Sequence, residues 1–227
     1  MPNTNKLSWD DTGKKRYESG VQHGVLYPQD DNGEYPLGVA WNGLTSVTES
    51  PDGAEPTDLW ADNTKYASMR SAETFGGTIE AYTYPDEFAK CDGSAVLESA
   101  PGLKIGQQAR CPFGLCYRTE IGDDANPNRG HLLHLVYNAT CSPSEKAYET
   151  INDSPDAITF SWEFDTTPIA ITGHSELKPT SILTIDSTKT TVAGLAALEE
   201  ALYGSDSEGD VPHLPLPHEV MALLATT

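Results

Sequence analysis

Gly77-Thr78-Ile79-Glu80-Ala81-Tyr82-Thr83-Tyr84 is the stretch whose alternation sets the fold class. Thr78, Glu80 and Tyr82 fall on one side of an extended chain, and Ile79, Ala81 and Thr83 on the other. That period of two is the mark of a half-buried strand. Further strands are expected upstream at Val21–Tyr27, Leu37–Trp41 and Leu44–Glu49, and downstream at Phe113–Ile121, Leu132–Cys141, Ile158–Asp165 and Ser181–Ile185. Turn formers separate them. Pro28-Gln29-Asp30-Asp31-Asn32-Gly33 follows the first strand, and Asn42-Gly43 between two alternating runs predicts a tight hairpin. The loop from Gly122 to Gly130 makes its flanking strands antiparallel neighbours. Roughly eight short strands predict a mainly β fold: two packed sheets, as a β-sandwich or distorted barrel.

Helical patterns are few. Pro85-Asp86-Glu87-Phe88-Ala89-Lys90 reads as a short helix with Pro and acids in its first turn and Gly93 beyond its end. Val192–Tyr203 places Val192, Leu195, Ala196, Leu198, Glu199 and Leu202 at helical spacing before Gly204, which predicts an amphipathic helix flanking the sheet. An acidic linker, Ser205–Asp210, leads to a small helix at Leu216–Leu224. The expected organisation is an N-terminal arm (1–20), a β-sandwich domain (21–189) with a long loop (50–75), and a C-terminal helix with an acidic extension (190–227).

The long loop carries the interaction signal. Ser50–Phe75 holds Pro51, Gly53, Pro56 and several acids, and also Leu59, Trp60, Tyr66 and Met69. Loops of this length are uncommon in a compact domain without a function, and disordered segments lack large apolar side chains. Leu59, Trp60, Tyr66 and Met69 are therefore the candidate inter-subunit contact. Trp41 and Trp162, in alternating strands, are expected in the core.

Charge excludes several partners. Lys and Arg number 14 against 34 Asp and Glu, a net charge of −20. Binding through nucleic-acid phosphates or to an anionic membrane surface needs clustered cations. No Lys or Arg stands between Arg16 and Lys65, and none follows Lys189. The segment Met1–Trp9 has no apolar run of a signal peptide, and no stretch approaches the ~20 apolar residues of a membrane helix. Cys91, Cys111, Cys116 and Cys141 are accordingly expected as reduced, structural thiols.

Catalytic and metal signatures are weak. His131 and His134 stand three apart, and on a strand that spacing faces opposite sides. Cys111 and Cys116 lack the spacing of a zinc knuckle. Glu80, Glu163 and Asp165 could pair in a hydrolytic cleft, but an acidic chain produces such pairs by chance. Neither a nucleophile elbow nor a P-loop is present, and Gly102-Leu103-Lys104-Ile105-Gly106 reads as a turn. No catalytic residue and no cofactor is expected. The alternative to an assembling subunit is a β-sandwich carbohydrate-binding module that stacks sugars on Trp9, Trp41, Trp60, Trp162 and several Tyr, of which Trp60 is the one expected to be exposed.

Several segments in order carry a family resemblance: Ala61-Asp62-Asn63-Thr64-Lys65-Tyr66, Gly76-Gly77-Thr78-Ile79-Glu80-Ala81, Tyr84-Pro85-Asp86-Glu87-Phe88 and Cys91-Asp92-Gly93. His134-Leu135-Val136-Tyr137-Asn138-Ala139, Cys141-Ser142-Pro143-Ser144, Trp162-Glu163-Phe164 and Leu183-Thr184-Ile185-Asp186-Ser187-Thr188-Lys189 follow, with Leu198-Glu199 and Leu202-Tyr203-Gly204 near the end. In this order the chain resembles the siphophage major tail protein, the tail tube family, over most of its length. The resemblance implies a subunit that closes into six-membered rings and stacks as a hollow tube. It implies arms and a long loop that carry the contacts between rings. It also implies partners: other copies of the chain, a tape measure protein and a tail terminator. DNA would pass through the channel during ejection without specific binding, in a virion tail assembled in the host cytoplasm.

Overall fold

The computed structural model describes residues 7, 9, 11–97, 99–100, 102–151, 156–206 and 210–225. Most of the expected arm before residue 11, and positions 207–209 of the acidic linker, lie outside these. The strands in chain order are β1 (Tyr17–Pro28), β2 (Val39–Trp41), β3 (Leu44–Glu49), β4 (Asp52–Gly53), β5 (Pro56–Ala61), β6 (Thr64–Arg70), β7 (Glu73–Thr74) and β8 (Gly76–Ala81). A 3-10 helix (Asp86–Lys90) precedes β9 (Ala95–Val96), β10 (Lys104–Ile105), β11 (Phe113–Gly122), β12 (Gly130–Cys141), β13 (Phe160–Thr166) and β14 (Ile182–Asp186). Two helices close the chain, α1 (Val192–Tyr203) and α2 (Pro217–Leu224). β1 begins at Tyr17, inside the segment expected as an arm.

The fold is mainly β. One eight-stranded antiparallel sheet runs in the order β2-β1-β11-β12-β13-β8-β3, with β14 paired to β12, and three two-stranded ribbons stand beside it. β2 and β3 sit at opposite ends of this order yet only two residues separate them in sequence. The expected Asn42-Gly43 hairpin is therefore not formed. β2 pairs with β1, β3 pairs with β8, and the two run in the same direction. Gly43 adopts φ +80°, a conformation open to glycine, and its carbonyl accepts from the Tyr82 amide at 2.9 Å. That bend hands the chain from one end of the sheet to the other, so the sheet curls until its ends meet. The barrel stays open, because no ladder joins β1 to β3 among the described residues.

The sheet also forks at Asn138, whose φ is +50°. Before it, Leu132–Val136 pair with β14; after it, Ala139–Cys141 pair with β13. The Asn138 amide donates to the Tyr35 hydroxyl at 2.9 Å, and its side chain donates to the Thr167 carbonyl at 3.1 Å. These partners satisfy the backbone and side chain at the kink.

Strand alternation sorts the apolar residues into two cores. Inside the curl lie Leu26, Trp41, Ile79, Phe88, Phe113, Leu115, Val136, Trp162 and Phe164. Trp162 packs at 5.1 Å from Phe88 and 5.7 Å from Trp41, ring centre to ring centre, so both expected core tryptophans are buried there. On the outer face of β1, β11, β12 and β14 a second core of Tyr27, Cys116, Leu133, Leu135, Tyr137 and Ile185 is covered by Leu198 and Leu202 of α1 and Val220 of α2. Tyr27 donates to the Leu202 carbonyl at 2.7 Å and Tyr137 to the Pro215 carbonyl at 2.9 Å, which pins the C-terminal segment to the sheet. Thr191 caps α1 by accepting from the Gly194 amide.

Candidate interaction site

The segment from 50 to 75, expected as a loop, is a β-ribbon. The register of β3 with β8 continues unbroken from Ser46↔Glu80 through Asp52↔Thr74 to Leu59↔Ala67. At the tip Asp62 and Asn63 both have positive φ, +51° and +62°, the pattern of a two-residue type I′ turn for which Asp and Asn are suited. Thr64 Oγ1 donates to the Ala61 carbonyl at 3.1 Å and tightens it. A kink interrupts the ribbon at Gly53 and Ala54, with φ +87° and +58°. From Glu49 to Asp62, at about 3.3 Å per residue, the ribbon reaches up to roughly 40 Å.

Its side chains are bare on both faces. Leu59, Trp60, Tyr66 and Met69 are 42%, 68%, 75% and 61% exposed. Cross-strand pairing puts Thr57 opposite Met69 and Leu59 opposite Ala67, one apolar face. Trp60 lies on the other face with Asp58 and Lys65, which form an ion pair at 2.7 Å. Tyr66 is the extra residue of a bulge between the Leu59↔Ala67 and Trp60↔Lys65 pairs. The four sequence-predicted residues thus share one ribbon but not one face. A two-stranded ribbon with both faces solvated is marginal alone in water.

A second exposed apolar group escaped the sequence reading. Val96, Leu97, Leu103 and Ile105, on and around the β9–β10 ribbon, are each more than a third exposed. The available signal was apolar residues flanking the turn at Gly102.

The acids of the outer face also find a place. Ile79 and Ala81 point into the curl, so Glu80 points out; likewise Trp162 and Phe164 point in, and Glu163 and Asp165 out. Glu80 accepts from Ser46 Oγ at 2.7 Å. With Thr48, Thr78 and Ser161 these residues form a polar, acidic face on β3, β8 and β13. His134 points into the curl, its Nδ1 3.3 Å from Glu49 Oε1, while His131 points out to Glu199 Oε1 of α1 at 3.0 Å. Burial pushes the thiols of Cys91 and Cys116 up to about 12. Such groups are poor nucleophiles and poor metal ligands at neutral pH.

No protein-family model matches the chain, and no curated protein matches it. Among solved structures it is similar to a chain in the extended-state sheath-tube complex of an extracellular contractile injection system, PVC. The identity is 9%, over 72% of this chain and 88% of that one, with a TM-score of 0.38. It is also similar to a chain of the anti-feeding prophage (AFP) baseplate, at 6% identity over 81% of this chain and 99% of that one, with a TM-score of 0.37. Likeness at this level carries no argument for fold or function.

Proposed function

We propose that the chain is a structural subunit of a bacteriophage tail tube. It polymerises as stacked, hexameric rings around a channel for DNA, with a tape measure protein and a tail terminator as further partners. The observation that carries this reading is the β5–β6 ribbon, which continues β3 and β8 beyond the curled sheet with apolar residues on both faces. A contact surface that lies on a projection, and meets a different surface on the next copy, is heterologous, and heterologous contacts build rings and filaments. The ordered segments that resemble the siphophage tail tube family support the same reading, as does the acidic face on β3, β8 and β13, which would not hold a polyanion. Negative-stain microscopy of the purified chain is the test. Rings or tubes are the expected result. A chain that stays monomeric at high concentration, with a tryptophan fluorescence that shifts on adding glycans, would instead favour a carbohydrate-binding module.

A further inference from the structure

The ribbon leaves the body at Glu49, the last residue of β3. On one edge β3 is held by its ladder to β8; on the other, no strand pairs with it among the described residues. Glu49 points into the curl, where two side chains from the opposite wall meet it. The Tyr117 hydroxyl of β11 donates to Glu49 Oε1 at 2.5 Å, and His134 Nδ1 of β12 lies 3.3 Å from the same oxygen. The imidazole is not free to turn. It lies flat on the Tyr117 ring, 4.7 Å between centres and 3° between planes, and its Nε2 meets Thr119 Oγ1 at 3.1 Å. Both rings are buried, and the Tyr117 hydroxyl and His134 Nδ1 converge on one carboxylate oxygen.

We infer that Glu49, held by Tyr117 and His134, is a brace that sets the direction in which the ribbon leaves the body. Beyond it the ladder is short: Ser50 donates to the Gly76 carbonyl at 2.8 Å, two β4–β7 pairs follow, and then the kink at Gly53-Ala54. Without the brace, the root would be tied to the body along one edge only. Glu49 is thus a positioning residue, acting through the ribbon. The inference rests on the tube reading only for its consequence, since an aimed ribbon docks without first losing conformational freedom.

Hydrogen exchange on the full-length, unassembled chain tests it. In Glu49→Ala, the amides of residues 50–53 and 73–76 should exchange about tenfold faster, with β11 and β12 core amides unchanged. Glu49→Gln, which still accepts from Tyr117, should show a smaller rise. Root amides that exchange as in the wild type overturn the inference. A uniform rise across the whole sheet also overturns it, because that marks plain loss of stability. Should Glu49→Ala not fold, Tyr117→Phe removes a single hydroxyl and is read in the same way. The chain is unassembled throughout, so failure of the brace and failure of the tube reading remain distinguishable.

Discussion

Tyr117 and Glu49 meet across the hollow of the sheet at 2.5 Å, although their strands stand four places apart in the strand order. The contact joins opposite walls of an unclosed barrel, and it depends on a carboxylate. The His134 imidazole beside it and the hydrogen bond from Tyr117 hold the Glu49 carboxyl below its ordinary value of 4.5, against burial, which pushes it up. Because the folded-state value is depressed, the stabilisation is present above the unfolded value and is lost as pH falls through the folded one. Asp186 behaves likewise: burial would raise it, yet bonds from Lys189 and Thr188 bring it to about 2. The melting temperature should therefore drop as pH falls below the ordinary carboxylate range. Glu49→Gln should show a shallower acid slope than the wild type. Thermal unfolding at a series of pH values checks this, and identical slopes count against the contact.

The helix α1 holds the outer core through Leu198 and Leu202, both fully buried, while Leu195 is only half-buried at its margin. Leu198→Ala or Leu202→Ala should cost about 2–5 kcal/mol in urea unfolding, from lost transfer energy and a residual cavity. Leu195→Ala should cost less than either. Glu200→Ala should stay within about 0.5 kcal/mol of the wild type. Equal losses at Leu195 and Leu198 would mean the helix sits in a different rotation.

This helix was legible in the sequence to the residue, because apolar residues recur at helical spacing from Val192 and Gly204 ends the run. β3 was equally plain. The ribbon was not, for a physical reason. Strand alternation reports one buried face, and both faces of β5 and β6 are solvated; Pro51, Gly53 and Pro56 then read as breakers, and the Tyr66 bulge breaks the period. Asn42-Gly43 misled in another way. A glycine with positive φ serves a sheet-switching bend as well as a hairpin, and only the partners of β2 and β3 tell them apart. Leu59, Trp60, Tyr66 and Met69 stood out in the sequence as contact candidates because large apolar side chains amid acids are anomalous wherever they sit, and the structure leaves all four exposed. Their separation onto two faces needed the register.

The ribbon is the proposed contact, and its tip makes few contacts with its own body. Deleting Pro56–Arg70, which pair with each other at the ends of the cut, should leave a folded chain that forms no tubes. Trp60→Asp and the pair Leu59→Asp with Met69→Asp should each keep stability within about 0.5 kcal/mol, since the positions are exposed. Sedimentation and microscopy read the assembly. Normal tubes from the deletion would remove the ribbon from the interface.

All four cysteines are free thiols, and Cys91, Cys116 and Cys141 are buried. Burial pushes each of these three thiols upward, so little thiolate forms at neutral pH. A disulfide-exchange reagent should modify at most the half-buried Cys111 in the native chain, and all four cysteines once it is denatured. Rapid reaction of more than one native thiol would show that the core opens.

The last prediction concerns the acidic face of β3, β8 and β13. It carries Glu80, Glu163 and Asp165 among Ser and Thr, and α1 and α2 pack on the other strands of the sheet. Among the described residues of these strands, the outward side chains are carboxylates and hydroxyls, which suits the wall of a channel that a polyanion must pass. Duplex DNA presents about one charge per ~1.7 Å, so attraction to a basic wall would multiply along a tube. Screening limits the reach of repulsion to a Debye length of ~8 Å at physiological salt, enough to keep the duplex off the wall. If this face lines the bore, Glu80→Lys, Glu163→Lys and Asp165→Lys together should leave tube assembly intact and slow genome ejection, with the defect easing as salt is raised. Ejection timed by DNA-dye fluorescence at several salt concentrations reads the effect. The same triple variant ejecting at the wild-type rate at low salt would place these acids outside the bore, where their work is to keep the assembly in solution.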